Sequence, residues 1–374
     1  MAQICEIVAR GRITEVDWAR DCDFLMFHET YADADLLLRD RNWSLYTISD
    51  DWAYVVRTDR PLHEYDIVNV PFIYYKQFTD AHRVARMSLA AMQRLATKTT
   101  DRSNDLIWFT NCPRAGTTLM SKLLYVRDAS VVFSEPDVFT SIAIYLDINK
   151  WSPEKCVRVL RASLRLFAHH LPPNTVCVLK LRSLTTNLAE ILHRAAPNVK
   201  QMFMFRRDVT RMVNSMEKAA TASIFLPMKI AIFIKNTWFL YKVIGLNSYE
   251  KTLFQRMQPE TRVEIAWGAT GAPFGRYLRH RSRYTIVSAY EDLIDNPTAE
   301  LTRLFKLCNL PVAQLSEALD KLSIDSQDGS ILARGRLERF AVTNQGEVDV
   351  ARARHVALML GLPIEFFLGY YVED

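Results

Sequence analysis

The residue types best suited to chemistry lie in one stretch, Leu106-Ile107-Trp108-Phe109-Thr110-Asn111-Cys112-Pro113-Arg114-Ala115-Gly116-Thr117-Thr118-Leu119-Met120. An apolar run leads into proline, a cation, two small residues and two threonines, and then into a helical pattern. That order suits an anion cradle. Gly116 permits a tight turn whose backbone N–H groups face inward. Thr117 and Thr118 place hydroxyls and amides at a helix start, where the peptide dipoles favour negative charge. Arg114 adds a planar fork of donors. Arg114, Ala115, Gly116, Thr117 and Thr118 are therefore the candidates for gripping a phosphate or sulfate group. The spacing G-x-x-x-x-G-K-[ST] is absent, so this is not the usual lysine-bearing nucleotide loop. From these residues alone, a plain strand–turn–helix joint with a capping threonine stays open as the alternative.

Short apolar runs alternate with helical patterns around this loop. The runs fall at 106–110, 131–133, 175–179, 201–205 and 284–288, and the helical patterns at 117–126, 153–169, 184–195, 209–218 and 297–307. Such alternation implies an α/β fold with a central parallel sheet flanked by helices. Ligands of such sheets bind where strands end and helices begin. The first ~100 residues differ in texture. Stretches 43–48 and 52–56 read as strands, 71–75 is an aromatic patch, and 79–97 carries a helical pattern with apolar Val84, Met87, Leu89, Met92 and Leu95. A polar stretch at 97–105 reads as a linker. The expected organisation is an N-terminal accessory α+β segment over residues 1–100 and a second domain over residues 101–374.

Composition narrows the classes of function. Apolar residues make up 49% and charged residues 24% of the 374 positions, which excludes wholesale disorder. A net charge of +5 is too small to imply bulk nucleic-acid binding. The six cysteines include no C-x-x-C pair and no Cys/His cluster, so no metal is expected and a reducing compartment suits the chain. The N-terminus has no apolar signal region. The most hydrophobic stretch, 222–246, is interrupted by Pro227, Lys229, Lys235, Asn236 and Lys242, so it reads as a buried helix and not a membrane span. A cytoplasmic location is the resulting expectation.

The motif Pro113-Arg114-Ala115-Gly116-Thr117-Thr118-Leu119 resembles the 5′-phosphosulfate loop of sulfotransferases that use 3′-phosphoadenosine-5′-phosphosulfate (PAPS). The cytosolic members carry Lys in the place of Arg114. The tyrosylprotein sulfotransferases carry Arg there, and Leu in the place of Leu119, as this chain does. The resemblance implies the P-loop-like sulfotransferase fold and a second cradle for the donor's 3′-phosphate. Met202-Phe203-Met204-Phe205-Arg206-Arg207-Asp208, with Ser215 on the next helix, is similar to that unit. Arg207 and Ser215 match the family spacing, and Arg206 stands one residue out of register. Charge and hydroxyl converging on one phosphate give the physical sense. Tyr290-Glu291-Asp292-Leu293 is similar to a Y-E-D-L segment of many members, with a structural role there. The stretch from Asp325 to Arg336 sits where members close a loop over the donor. It lacks R-K-G-x-x-G, which leaves Ser330, Arg334 and Arg336 as candidates only.

Sulfuryl transfer needs a base for the acceptor proton and positive charge at the bridging oxygen. Positioning and electrostatics should dominate, as in phosphoryl transfer. Cytosolic members carry a Lys-Thr-His segment whose His is the base. The matching place here is Lys180-Leu181-Arg182, and Arg182 cannot act as a base near neutral pH. Glu135, 21 residues after Arg114, matches the catalytic Glu of the tyrosylprotein enzymes. Cations around it would hold it ionised and lower its pKa, while burial would push back. A purely structural role, pairing with an Arg or capping the helix that starts near Pro136, is the alternative for Glu135. Arg114 and Lys180 would be the electrophilic groups of an in-line displacement without metal. The acceptor, a small molecule or peptide, and the oligomeric state are not legible. The aromatic stretch 225–246 and the glycine-rich stretch 267–275, followed by a basic run, are candidate acceptor regions. The competing readings are a P-loop ATP-dependent kinase and a catalytically inactive nucleotide-binding protein of the same fold.

Overall fold

The computed structural model describes residues 1–12, 17–221, 262–323, 350–368 and 371. The aromatic stretch 225–246 and the candidates Ser330, Arg334 and Arg336 lie outside the described residues. Among the described residues, no helix is long and apolar enough to cross a membrane.

Two five-stranded sheets organise the described residues. The first is antiparallel and is made of β1 (Ala2–Arg10), β2 (Phe24–Ala32), β3 (Trp43–Ile48), β4 (Trp52–Arg57) and β5 (Arg83–Ser88), in the order β2-β1-β5-β4-β3. Strands β3 and β4 follow the short helix α1 (Leu36–Arg39) and arise where aromatic and β-branched residues predict them. The helical pattern at 79–97 does not form one helix. It divides into the end of α2 (Ile73–Asp80), the central strand β5, and α3 (Leu89–Ala96). The reason is burial: Val84, Ala85 and Met87 are all enclosed, so β5 loses the period-two alternation that would mark a strand. Ser88 caps α3 by accepting from the Ala91 amide.

The second sheet is wholly parallel. Strands β6 (Leu106–Asn111), β7 (Ser130–Ser134), β8 (Val176–Lys180), β9 (Lys200–Phe205) and β10 (Ile286–Ala289) lie in the order β10-β9-β6-β8-β7. All six residues of β6 are buried, as a strand covered on both faces requires. The helices α4 (Thr117–Leu123), α5 (Val138–Asp147), α6 (Pro153–His169), α7 (Ala189–Ala195), α8 (Val209–Thr221), α9 (Arg262–Arg279), α10 (Tyr290–Asp295) and α11 (Pro297–Leu307) follow in chain order. The sheet-and-helix expectation is thus borne out. Helices α6 and α11 begin where expected, each with a capping side chain and proline at its start.

The stretch 267–275 is not a loop. It lies inside α9, where Gly271 and Gly275 pack against Leu360 and Leu362. A Cβ on Gly271 would lie 2.6 Å from Leu360 Cδ1. The basic run after it is not one face either. Arg276 is buried, and Arg283 pairs with Glu190 at 2.9 Å. The two sheets share a hydrophobic core in which Trp43, Val55 and Met87 join Trp108, Phe133 and Phe167. The N-terminal segment is therefore built onto the parallel sheet, at the side where β7 and β8 end.

Candidate functional site

Sheet order places β6 in the middle, with β7 and β8 on one side and β9 and β10 on the other. The connection reverses direction at β6, which is where an open parallel sheet forms a crevice. All five strands carry a chemistry-bearing residue just past, or at, their C-terminal ends. Across the sheet these are Tyr290 after β10, Arg206 after β9, Arg114 after β6, Lys180 and Arg182 at the end of β8, and Glu135 after β7. Adjacent strands are ~4.8 Å apart, so β6 and β7 set a gap of roughly 10 Å between the two ends of the site.

The Arg114 end is cationic. Arg114 and Gly116 both adopt left-handed backbone, with φ of 63° and 85°. This bends the loop sharply into α4. Gly116 has no room for a side chain: a Cβ there would lie 2.6 Å from Tyr290 Cε2. The same ring carries Arg206, whose Cζ lies 3.8 Å from the ring centroid. Arg114 Nε donates to Ser215 Oγ at 2.8 Å. Burial, with the charge of Arg206 beside it, pulls the Arg114 pKa down to about 10. Burial lowers Arg206 as well. Arg206 Nε is buried without a hydrogen-bond partner. The nearby Glu291 carboxylate is committed to the backbone amides of Arg207 (3.0 Å) and Asp208 (3.3 Å). Helix α4 has only seven residues, so its dipole adds less than the two guanidinium groups.

Arg207 and Ser215 do not meet. Arg207 makes a two-pronged ion pair with Asp292, at 2.7 and 3.0 Å, and this hydrogen bonding raises its pKa. Ser215 instead meets Arg114, and the cation that faces Arg114 is Arg206. Spacing along β9 could not separate these neighbours, because consecutive residues at a strand end turn in different directions.

At the other end, Glu135 is half-enclosed, and its carboxylate is in ion-pair contact with Lys180 Nζ. Arg182 Nε lies 3.6 Å from its other oxygen. Glu135 also has left-handed backbone, φ 58°, and its amide donates to the Lys180 carbonyl at 2.6 Å. Burial pushes the Glu135 carboxyl up, but the charges of Lys180 and Arg182 outweigh it and hold the group below its ordinary value. Arg182 is itself paired with the buried Asp137, at 2.7 and 3.1 Å. Asp137 and Tyr74, which the sequence does not single out, join the site through these contacts. Among the described residues, no group of three His, Cys, Asp or Glu side chains could hold a metal ion.

No protein-family model matches the chain. No curated protein matches it. Among solved structures, it is similar to a sulfotransferase domain from the curacin biosynthetic pathway, over 69% of this chain and 97% of that one, at 12% identity and a TM-score of 0.37. A sulfotransferase from Alicyclobacillus acidocaldarius is similar over 70% and 92% of the two chains, at 14% identity and 0.36. A sulfotransferase from Mycobacterium avium is similar over 75% and 80%, at 11% identity and 0.43. Likeness at this level carries no argument about activity.

Proposed function

We propose that the chain is a sulfotransferase that moves the sulfuryl group of PAPS to a hydroxyl or amine of a small-molecule or peptide acceptor. The observation that supports this best is the cluster beside Gly116. Two guanidinium groups are gathered where burial disfavours their charge, a hydroxyl lies beside one of them, and the buried Arg206 Nε–H has no acceptor. An anion's oxygen would accept from that N–H and offset the charge of both guanidinium groups. Arg114, Ala115, Gly116, Thr117 and Thr118 would hold the phosphosulfate end. Arg206 with Ser215 would hold the 3′-phosphate, and Arg207 could join only by giving up Asp292.

The donor supplies an activated bond between sulfur and a phosphate oxygen. Glu135 would take the proton of the acceptor as the acceptor atom bonds to sulfur. Lys180 and Arg114 would neutralise the oxygen that departs with adenosine 3′,5′-bisphosphate. Lys180 must turn away from Glu135 to do so. That movement removes the nearest cation from a half-enclosed carboxylate, which raises its pKa and strengthens it as a base.

The test combines binding and transfer. Adenosine 3′,5′-bisphosphate is expected to raise the melting temperature, ATP with magnesium is not, and radiolabelled PAPS should label at least one member of a panel of phenols, alcohols, amines and tyrosyl peptides. Stabilisation by ATP alone would favour a kinase. Stabilisation by the bisphosphate without label transfer to any acceptor would favour an inactive binding protein.

A further inference from the structure

The N-terminal segment reaches the proposed base through Arg182. Tyr74, on the first turn of α2 and fully buried, lays its ring 4.5 Å from Arg182 Cζ. The carbonyl of Asp17 accepts from Arg182 Nη2 at 3.2 Å. Asp137 holds the same guanidinium from the other side, and the Ala19 amide donates to Asp137 Oδ2 at 3.0 Å. None of these partners has a part in the transfer step. Further charged groups close the neighbourhood. Arg12 stacks on the same Tyr74 ring at 5.0 Å and lies 3.7 Å from Asp23, while Arg20 pairs with Asp17 at 2.7 Å. The cations Arg12, Arg20, Lys180 and Arg182 thus face the carboxylates Asp17, Asp23, Glu135 and Asp137. This cluster is balanced.

We propose that Arg182 is a positioning residue of the transfer reaction, clamped by the N-terminal segment, so that Glu135 keeps its place and its charge when Lys180 turns to the donor. The inference rests on Glu135 being the base. The two cations on Glu135 then have separate tasks. Lys180 sits on a flexible stem and changes partner. Arg182 is fixed by a fork–fork pair, an aromatic face and a backbone carbonyl, and it does not move. The accessory segment would be part of the catalytic apparatus without touching the donor.

The experiment titrates the full-length chain labelled with 13C at the glutamate carboxyl carbons, with Glu135→Gln assigning the signal. Adenosine 3′,5′-bisphosphate is present throughout. In Arg182→Gln the Glu135 midpoint is expected to shift to higher pH, and in Arg182→Lys to return toward the wild-type position. An unchanged midpoint in a folded Arg182→Gln overturns the proposal, whatever happens to the rate. Should Arg182→Gln not fold, the unmodified chain decides through its arginine Nε–H signals, assigned with Arg182→Lys. A slowly exchanging Arg182 signal, unchanged by the bisphosphate, supports the clamp, and a fast-exchanging one refutes it. Failure of the parent reading looks different: wild type would then transfer no label, while these titrations would still report on Arg182.

Discussion

Arg114 Nε donates to Ser215 Oγ at 2.8 Å, across 101 residues of chain. The loop after β6 and the helix after β9 are therefore in direct contact. A nucleotide donor with charge at both ends would have to part this pair or share it.

Removing Arg114 tests the shared cradle. Arg114→Ala should weaken adenosine 3′,5′-bisphosphate binding about tenfold to a hundredfold, since a charge-assisted hydrogen bond contributes roughly 1.5–3 kcal/mol. Ser215→Ala, a loss of one neutral partner, should cost about tenfold at most. Titration calorimetry reads both. Equal affinity in Arg114→Ala and wild type would remove the loop from the donor site.

The pH dependence of binding follows from the same residue. Burial and Arg206 lower the Arg114 pKa to about 10, so its charge costs stability in the ligand-free fold below that pH. The cost is relieved as pH rises through about 10 and the proton leaves. An anion that binds the charged form relieves it too. Thermal stabilisation by the bisphosphate should thus be full at pH about 8 and clearly smaller at pH about 10.5. A response flat over that window would show that Arg114 does not face the ligand.

Glu135 separates binding from chemistry. Glu135→Gln keeps the shape and removes the proposed proton acceptor. Transfer from PAPS should fall ~10²–10⁴-fold, the usual worth of a general base, with bisphosphate affinity unchanged. Equal turnover by the variant would leave Glu135 as the structural partner of Lys180.

Gly116 tests the contact between the loop and Tyr290. Gly116→Ala meets the ring and must also hold φ 85°, a left-handed conformation that costs a residue with a Cβ roughly 1–2 kcal/mol. Melting temperature and donor affinity should both drop. Adding Tyr290→Ala should restore affinity in part but not the backbone cost. An undiminished melting temperature in Gly116→Ala would mean that the loop has another shape.

Much of this was readable before any coordinates. Continuous apolar runs such as Ile107-Trp108-Phe109 and Val131-Val132-Phe133 belong to parallel strands, because both of their faces are covered. Ser152-Pro153 and Asn296-Pro297 announced helix starts. Patterns failed where burial hides the period, as in β5, and where glycine serves helix contact instead of a turn, as at Gly271.

The sequence by itself determined which residues stand at strand ends: Arg114, Glu135, Lys180, and the pair Arg206-Arg207. Those positions follow from local rules of period and turn. Only the tertiary structure decided their partners. The sheet order sets β6 between β8 and β9, and packing turns Arg207 to Asp292 and Arg206 toward Arg114. It also brought Tyr74 and Asp17, from far up the chain, against Arg182. Local pattern fixes where a side chain leaves the backbone, whereas the groups it meets depend on how distant elements pack.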